Sequence, residues 1–260
     1  MTLKTRSSFS STAACSDSET VMPGESGHHP ASPDRTGSLK ALDAIYRHYD
    51  QTYPRTGLAC HAGCASCCTR SVILTSIEAC YILHGCKSQP DLIGSRLSGA
   101  MDAPRFIPVL TTNRLAELCQ ADQDIPEEQL PQSGLFCPFL ENDRCLIYAL
   151  RPFACRCMTS VTQCSTTGFA DQSDWMVSLN TLYLQVIEHL DNSGWSGNLI
   201  DLVHILSIHP GDLNQSTPVL VKNRPIGTVF IPPEYRSRMS PVFQELWAII
   251  SPAIPGSCHP

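Results

Sequence analysis

Sulfur is not spread evenly along this chain. Most of its fourteen cysteines crowd into two bursts, Cys60, Cys64, Cys67 and Cys68 first, then Cys137, Cys145, Cys155, Cys157 and Cys164. A disulfide scaffold would be short and would scatter its cysteines, because small secreted domains use cross-links to make up for a thin core. This chain has 260 residues, 42% of them hydrophobic, enough to bury a core without staples. Lys4 and Arg6 lead into the hydroxylated stretch Ser7 to Thr12, where an export signal would place an apolar run, so the triplet Ala13-Ala14-Cys15 lacks its context. The cysteines are therefore expected in a cytoplasmic, reducing setting, as thiols or metal thiolates.

The first burst reads CxxxCxxCC. Two cysteines separated by two residues can turn their sulfurs toward one ion across a tight turn, and Gly63 supplies a flexible backbone just ahead of it. Neighbouring side chains such as Cys67 and Cys68 diverge, so one is expected to face the main metal while the other serves a second ion or bridges two. In the second burst, Leu140 and Leu146 to Tyr148 flank Asn142-Asp143, a turn signal that predicts a small hairpin with Cys137 and Cys145 near its ends. Pro152 favours a helix start that presents Cys155 shortly after. Crowded thiolates are strongly negative, and Arg151 and Arg156 lie close enough in sequence to compensate them. Both arginines and Tyr148 also have a plainer reading, as core filler and as partners of carboxylates or loop carbonyls.

With both bursts in view, the chain resembles the zinc- or iron-chelating cysteine-cluster family named for its CxxCxxCC signature, whose second half reads CPFL and then CxIYxxRPxxCR. Those elements stand here at Cys60 to Cys68, Cys137 to Leu140 and Cys145 to Arg156. The resemblance implies a ligand set of Cys60, Cys64, Cys67, Cys68, Cys137, Cys145, Cys155 and Cys164, with Cys157 competing with Cys164 for the last place. The first spacing holds three residues where the signature has two, and Cys157 sits where an aromatic is common. The implied cofactor is zinc or iron, an iron–sulfur cluster included, and the paired arginines tilt the choice toward iron. The implied function is metal binding with a redox role. The alternative is an enzyme using the metal, since related cysteine-cluster proteins are described as iron–sulfur oxidoreductases or, in longer chains, as lysine methylases of flagellin.

Nothing outside the bursts names a reaction. No GxGxxG follows a strand, and no His/carboxylate set has helical spacing. The CxxxCxxC core also matches the motif with which radical enzymes hold a four-iron cluster and S-adenosylmethionine. Those enzymes need a long βα-repeating barrel, which no strand–helix alternation here provides, and Ser66 replaces their usual aromatic. The formal net charge of -6 without a basic stripe argues against nucleic acid. Even the apolar stretch Leu199 to Ile208 carries Asp201 and His204, so no membrane span is expected.

Periodicity predicts an α+β fold, predominantly α-helical, with a small cysteine-rich core and a short β-hairpin packed by amphipathic helices. Residues 1–37 read as a disordered leader. Residues 38–260 read as a single domain, with its metal core over 60–164 and a helical part over 174–260. Helices are expected from Ser38 (Leu39, Leu42, Tyr46, Tyr49), from Thr75 or Ser76 up to Gly85, over a weak stretch Arg105 to Cys119, and through Leu179, Leu182, Tyr183, Val186 and Leu190. Two more are expected at Leu199 to Leu206 and, capped by Ser240 with Pro241 first, through Phe243, Leu246, Trp247 and Ile250. Ser71 to Leu74 and Val219 to Ile231 read as extended. Cys80 and Cys119 fall on apolar helical faces and read as packing, Cys15, Cys86 and Cys258 as plain thiols, and His61, His84, His204 and His209 as solvated rather than ligating.

Overall fold

The computed structural model describes residues 35–53, 56–61, 63–129, 135–210, 213 and 219–254. Cys15, Cys258 and the leader up to residue 34 lie outside them, and all described residues belong to one contact unit running to Pro260. Helix α1, Thr36–Thr52, begins two residues ahead of the expected Ser38. Its buried positions Leu42, Ile45, Tyr46 and Tyr49 follow the 3.6-residue period and pack against α7, Asp174–Leu190, and α9, Arg236–Ile250. From α7 come Leu179, Leu182, Tyr183, Val186 and Leu190, all buried as expected. Phe153 stacks on Tyr183 with ring centroids 5.2 Å apart, closing this first core.

A second core lies around a three-stranded antiparallel sheet in the order β1 (Ile73–Thr75), β4 (Trp195–Asn198), β5 (Leu220–Lys222). Helices α2 (Ser76–Gly85), α3 (Pro90–Leu97) and α8 (Leu199–Ile208) cover it with Ile82, Leu97, Ile200 and Leu202, all fully buried. The fold is α+β and mostly helical. Among the described residues no helix is long and apolar enough to cross a membrane.

Several local expectations are corrected. Helix α9 starts at Arg236 and carries Pro241 inside it, because burial of Met239 rewards an extra N-terminal turn and the proline sacrifices a single backbone bond. Met239 and Val242 take the buried places expected for Phe243 and Trp247, which are half-buried. The weak helix shrinks to α4, Thr112–Gln120, capped by the Thr111 hydroxyl, while Arg105 leaves the helix to pair with the buried Asp201 at 2.8 Å. Only Leu220–Lys222 of the expected extended stretch pairs as a strand. Cys119 is exposed rather than packed, and Cys86 is buried rather than a loop thiol.

The cores are joined by a buried polar knot. Asp191, just past α7, accepts hydrogen bonds from the Ser76 hydroxyl at 2.6 Å and the Ile77 N–H at 3.0 Å. Gly194 packs so closely that an added methyl would collide with the Asp191 carboxylate and the Ser76 hydroxyl. Burial pushes the Asp191 carboxyl up to about 6, against the opposing pull of those donors. A raised carboxyl binds its proton more tightly folded than unfolded, so its contribution is full below about pH 4 and is lost as pH rises through about 6, roughly 3 kcal/mol in all. Urea titrations of the wild type and Asp191→Asn between those pH values should show the variant gaining on the wild type as pH rises. A constant difference would contradict the assignment.

Candidate metal centre

The first burst is a loop of consecutive tight turns. The Cys64 N–H donates to the His61 carbonyl at 3.0 Å and the Cys68 N–H to the Ala65 carbonyl at 2.9 Å, with Gly63 in the left-handed region at φ +87°. Both ends of the loop are tied down. On entry, the Ala59 N–H donates to the Ser160 carbonyl at 2.8 Å, bringing Cys60 toward the segment that carries Cys164. On exit, the Cys68 carbonyl accepts the Cys137 N–H at 2.9 Å and Thr69 bridges to Phe136, so the two bursts meet through their backbones. The side chain of Asn198, which also caps α8, donates to the Arg70 carbonyl at 2.7 Å and fixes that exit against the sheet.

The second burst carries the expected hairpin. Strands β2 (Leu140–Glu141) and β3 (Arg144–Cys145) pair antiparallel with Leu140 opposite Cys145. Asn142 and Asp143 have φ of 49° and 58°, the pair of positive values that a two-residue primed turn requires. Phe139, fully buried, and Ile147 pin the hairpin into the second core. The chain then reaches Pro152, which caps α5 (Phe153–Cys157) and places Cys155 within its first turn.

Glu78 holds this helix in place, and the sequence reading did not single it out. Its carboxylate accepts the Phe153 N–H at 2.8 Å, the Tyr46 hydroxyl at 2.8 Å and the Thr75 N–H at 2.8 Å, linking α5, α1 and the start of α2. The signal was legible as Thr75-x-x-Glu78, a capping box at a helix start.

These ties bring the cysteines together. Cys64, Cys67, Cys68, Cys137, Cys145 and Cys155 line a cavity that encloses, with its open mouth, about 1240 Å³, and Cys60, Cys64 and Cys164 line a smaller one of about 880 Å³ beside it. Cys157 is the exception: it is buried in the first core, and its Sγ donates to the Ala154 carbonyl at 3.5 Å. No disulfide joins any of the described cysteines. Among the described residues no three His, Cys, Asp or Glu side chains are already spaced to hold one ion.

The thiols resist ionising together. Burial pushes Cys137 up to about 11, with the neighbouring Cys145 adding to it. Burial also raises Cys155 and Cys60, reinforced by Cys137, Cys145 and Cys67 for the former and by Cys64, Cys67 and Cys164 for the latter. Cys68 rises first through its hydrogen bond with Cys67 and then through burial. Left to themselves these sulfurs stay protonated, and only positive charge beside them would hold them as thiolates.

The arginines divide between the two expected roles. Arg156 is used up by structure: it donates to the Arg151 carbonyl at 3.0 Å and the Ala149 carbonyl at 2.7 Å, pairs with Asp50 at 3.0 Å and lies over the Tyr46 ring. Those partners are the carboxylate and loop carbonyls of the plainer of its two expected roles. Arg151 fits the other, as counter-charge to the sulfurs. It is 9% exposed, lines the larger cavity, and stacks 4.0 Å over the ring of Tyr148. Its Nε finds no hydrogen-bond partner, and none of the ion pairs among the described residues includes it. A soft sulfur donor set beside a buried, unpaired cation fits a metal–thiolate centre with net negative charge. No family model matches the chain, and neither does any curated protein or solved structure.

Proposed function

We propose that this protein binds zinc or iron, an iron–sulfur cluster being one form of the latter, through the thiolates of Cys60, Cys64, Cys67, Cys68, Cys137, Cys145, Cys155 and Cys164. The observation that carries the reading is the convergence of cysteines from three separate stretches of chain on two adjoining cavities. The resemblance to the cysteine-cluster family supports the same ligand set. A bound cation neutralises the crowded sulfurs and, where it is iron, can also pass an electron. The chain's own groups do the rest. The hairpin and α5 orient the second set of sulfurs, Glu78 fixes α5, and Arg151 supplies positive charge from a site shielded from water.

Purification under argon followed by metal analysis and an absorption spectrum tests the reading. Zinc should leave the protein colourless, whereas iron in sulfur ligation should give visible bands that bleach on reduction. Metal-free protein whose cysteines are paired covalently would contradict it.

A further inference from the structure

The candidate cysteines do not all open onto one space. Cys67, Cys68, Cys137, Cys145 and Cys155 line the larger cavity alone, and Cys60 and Cys164 line the smaller alone. Cys64 and His61 stand in the wall common to both. Each cavity also has its own stranded polar atom. Arg151 lines the larger and Thr162 the smaller, and Arg151 Nε and Thr162 Oγ1 are both buried without a hydrogen-bond partner. A buried donor is rarely left unsatisfied, and both of these suit an anionic sulfur as acceptor.

A single tetrahedral ion takes four ligands, fewer than the sulfurs belonging to the larger cavity alone. Resting on the metal–thiolate reading above, we propose that the centre is built as two metal compartments, the smaller of which takes a second soft divalent ion through Cys60, Cys64, Cys164 and the His61 imidazole. Three sulfurs and one nitrogen make a set that zinc favours. Asp143 of the hairpin turn also lines the smaller compartment, but the Ala59 to Ser160 backbone bond joins its Cys60 and Cys164 segments directly. The compartment can therefore be emptied while Cys137, Cys145 and Cys155 keep their ion.

Metal analysis of the anaerobically purified full chain should find about one ion more than in the double variant Cys60→Ser, Cys164→Ser, which should keep the metal of the larger compartment with unchanged far-ultraviolet dichroism. Graded chelation of the wild type, with alkylation and mass spectrometry at each step, asks the same question without a variant. Cys60, Cys64 and Cys164 should become labelled together as the first ion leaves, while Cys137, Cys145 and Cys155 stay protected. Equal metal content in the wild type and the double variant, loss of all metal from that variant, or simultaneous labelling of both groups would overturn the two-compartment proposal and leave the thiolate reading standing. Absence of any metal would overturn both.

Discussion

Glu78→Ala should be among the most damaging single substitutions away from the sulfurs. The Glu78 side chain is 3% exposed and accepts from the Phe153 N–H, the Tyr46 hydroxyl and the Thr75 N–H, none of which water can easily reach once it is gone. A buried donor left without a partner costs about 1–3 kcal/mol, so the loss should reach about 3 kcal/mol or more. It should also loosen α5, and with it Cys155. Urea unfolding should show the lowered midpoint, and metal analysis a weakened hold on the ion. Glu78→Gln should do less harm, because it keeps an acceptor for part of the network. A variant with wild-type stability would mean that α5 is held by packing of Phe153 alone.

Cys155→Ser and Cys157→Ser, two residues apart, should behave differently. Cys155 lines the larger cavity, whereas Cys157 is 8% exposed within the first core. The serine at 155 removes a soft ligand that a neutral hydroxyl does not replace, so bound metal should fall sharply and the melting temperature with it. A ligand held at about a thousand times its Kd contributes roughly 4 kcal/mol to stability, which sets the scale of the loss. The serine at 157 should lower stability through a hydroxyl buried among apolar neighbours, yet keep the metal. Cys119→Ser, at an exposed position on α4, should change neither quantity. Equal metal loss at 155 and 157 would contradict the assignment of Cys157 to the core.

The features that the sequence declares are those with local causes. Asn142-Asp143 between apolar flanks gave the hairpin, because few residues tolerate two successive positive φ values. The faces of α1 and α7 followed from apolar spacing alone. Strand β4 was not anticipated, since Trp195-Ser-Gly-Asn198 has no apolar alternation; Gly197 is there to let Leu220 and Leu202 approach closely. Helix α3 escaped because its apolar signal is short, resting on the buried Ile93 and Leu97. Within the site, spacing could nominate the cysteines but could not separate Cys157 from Cys155 or Arg156 from Arg151. Those distinctions depend on which way a single-turn helix faces, and that is set by Glu78, Asp50 and Tyr46 from distant parts of the chain.

X-ray absorption at the edge of the metal found in native protein bears most directly on the central claim. The expected spectrum is dominated by a sulfur shell at about 2.3 Å, the distance for zinc–thiolate bonds. A shell made only of nitrogen or oxygen, at about 2.0–2.1 Å, would show the ion sitting elsewhere and contradict the thiolate centre.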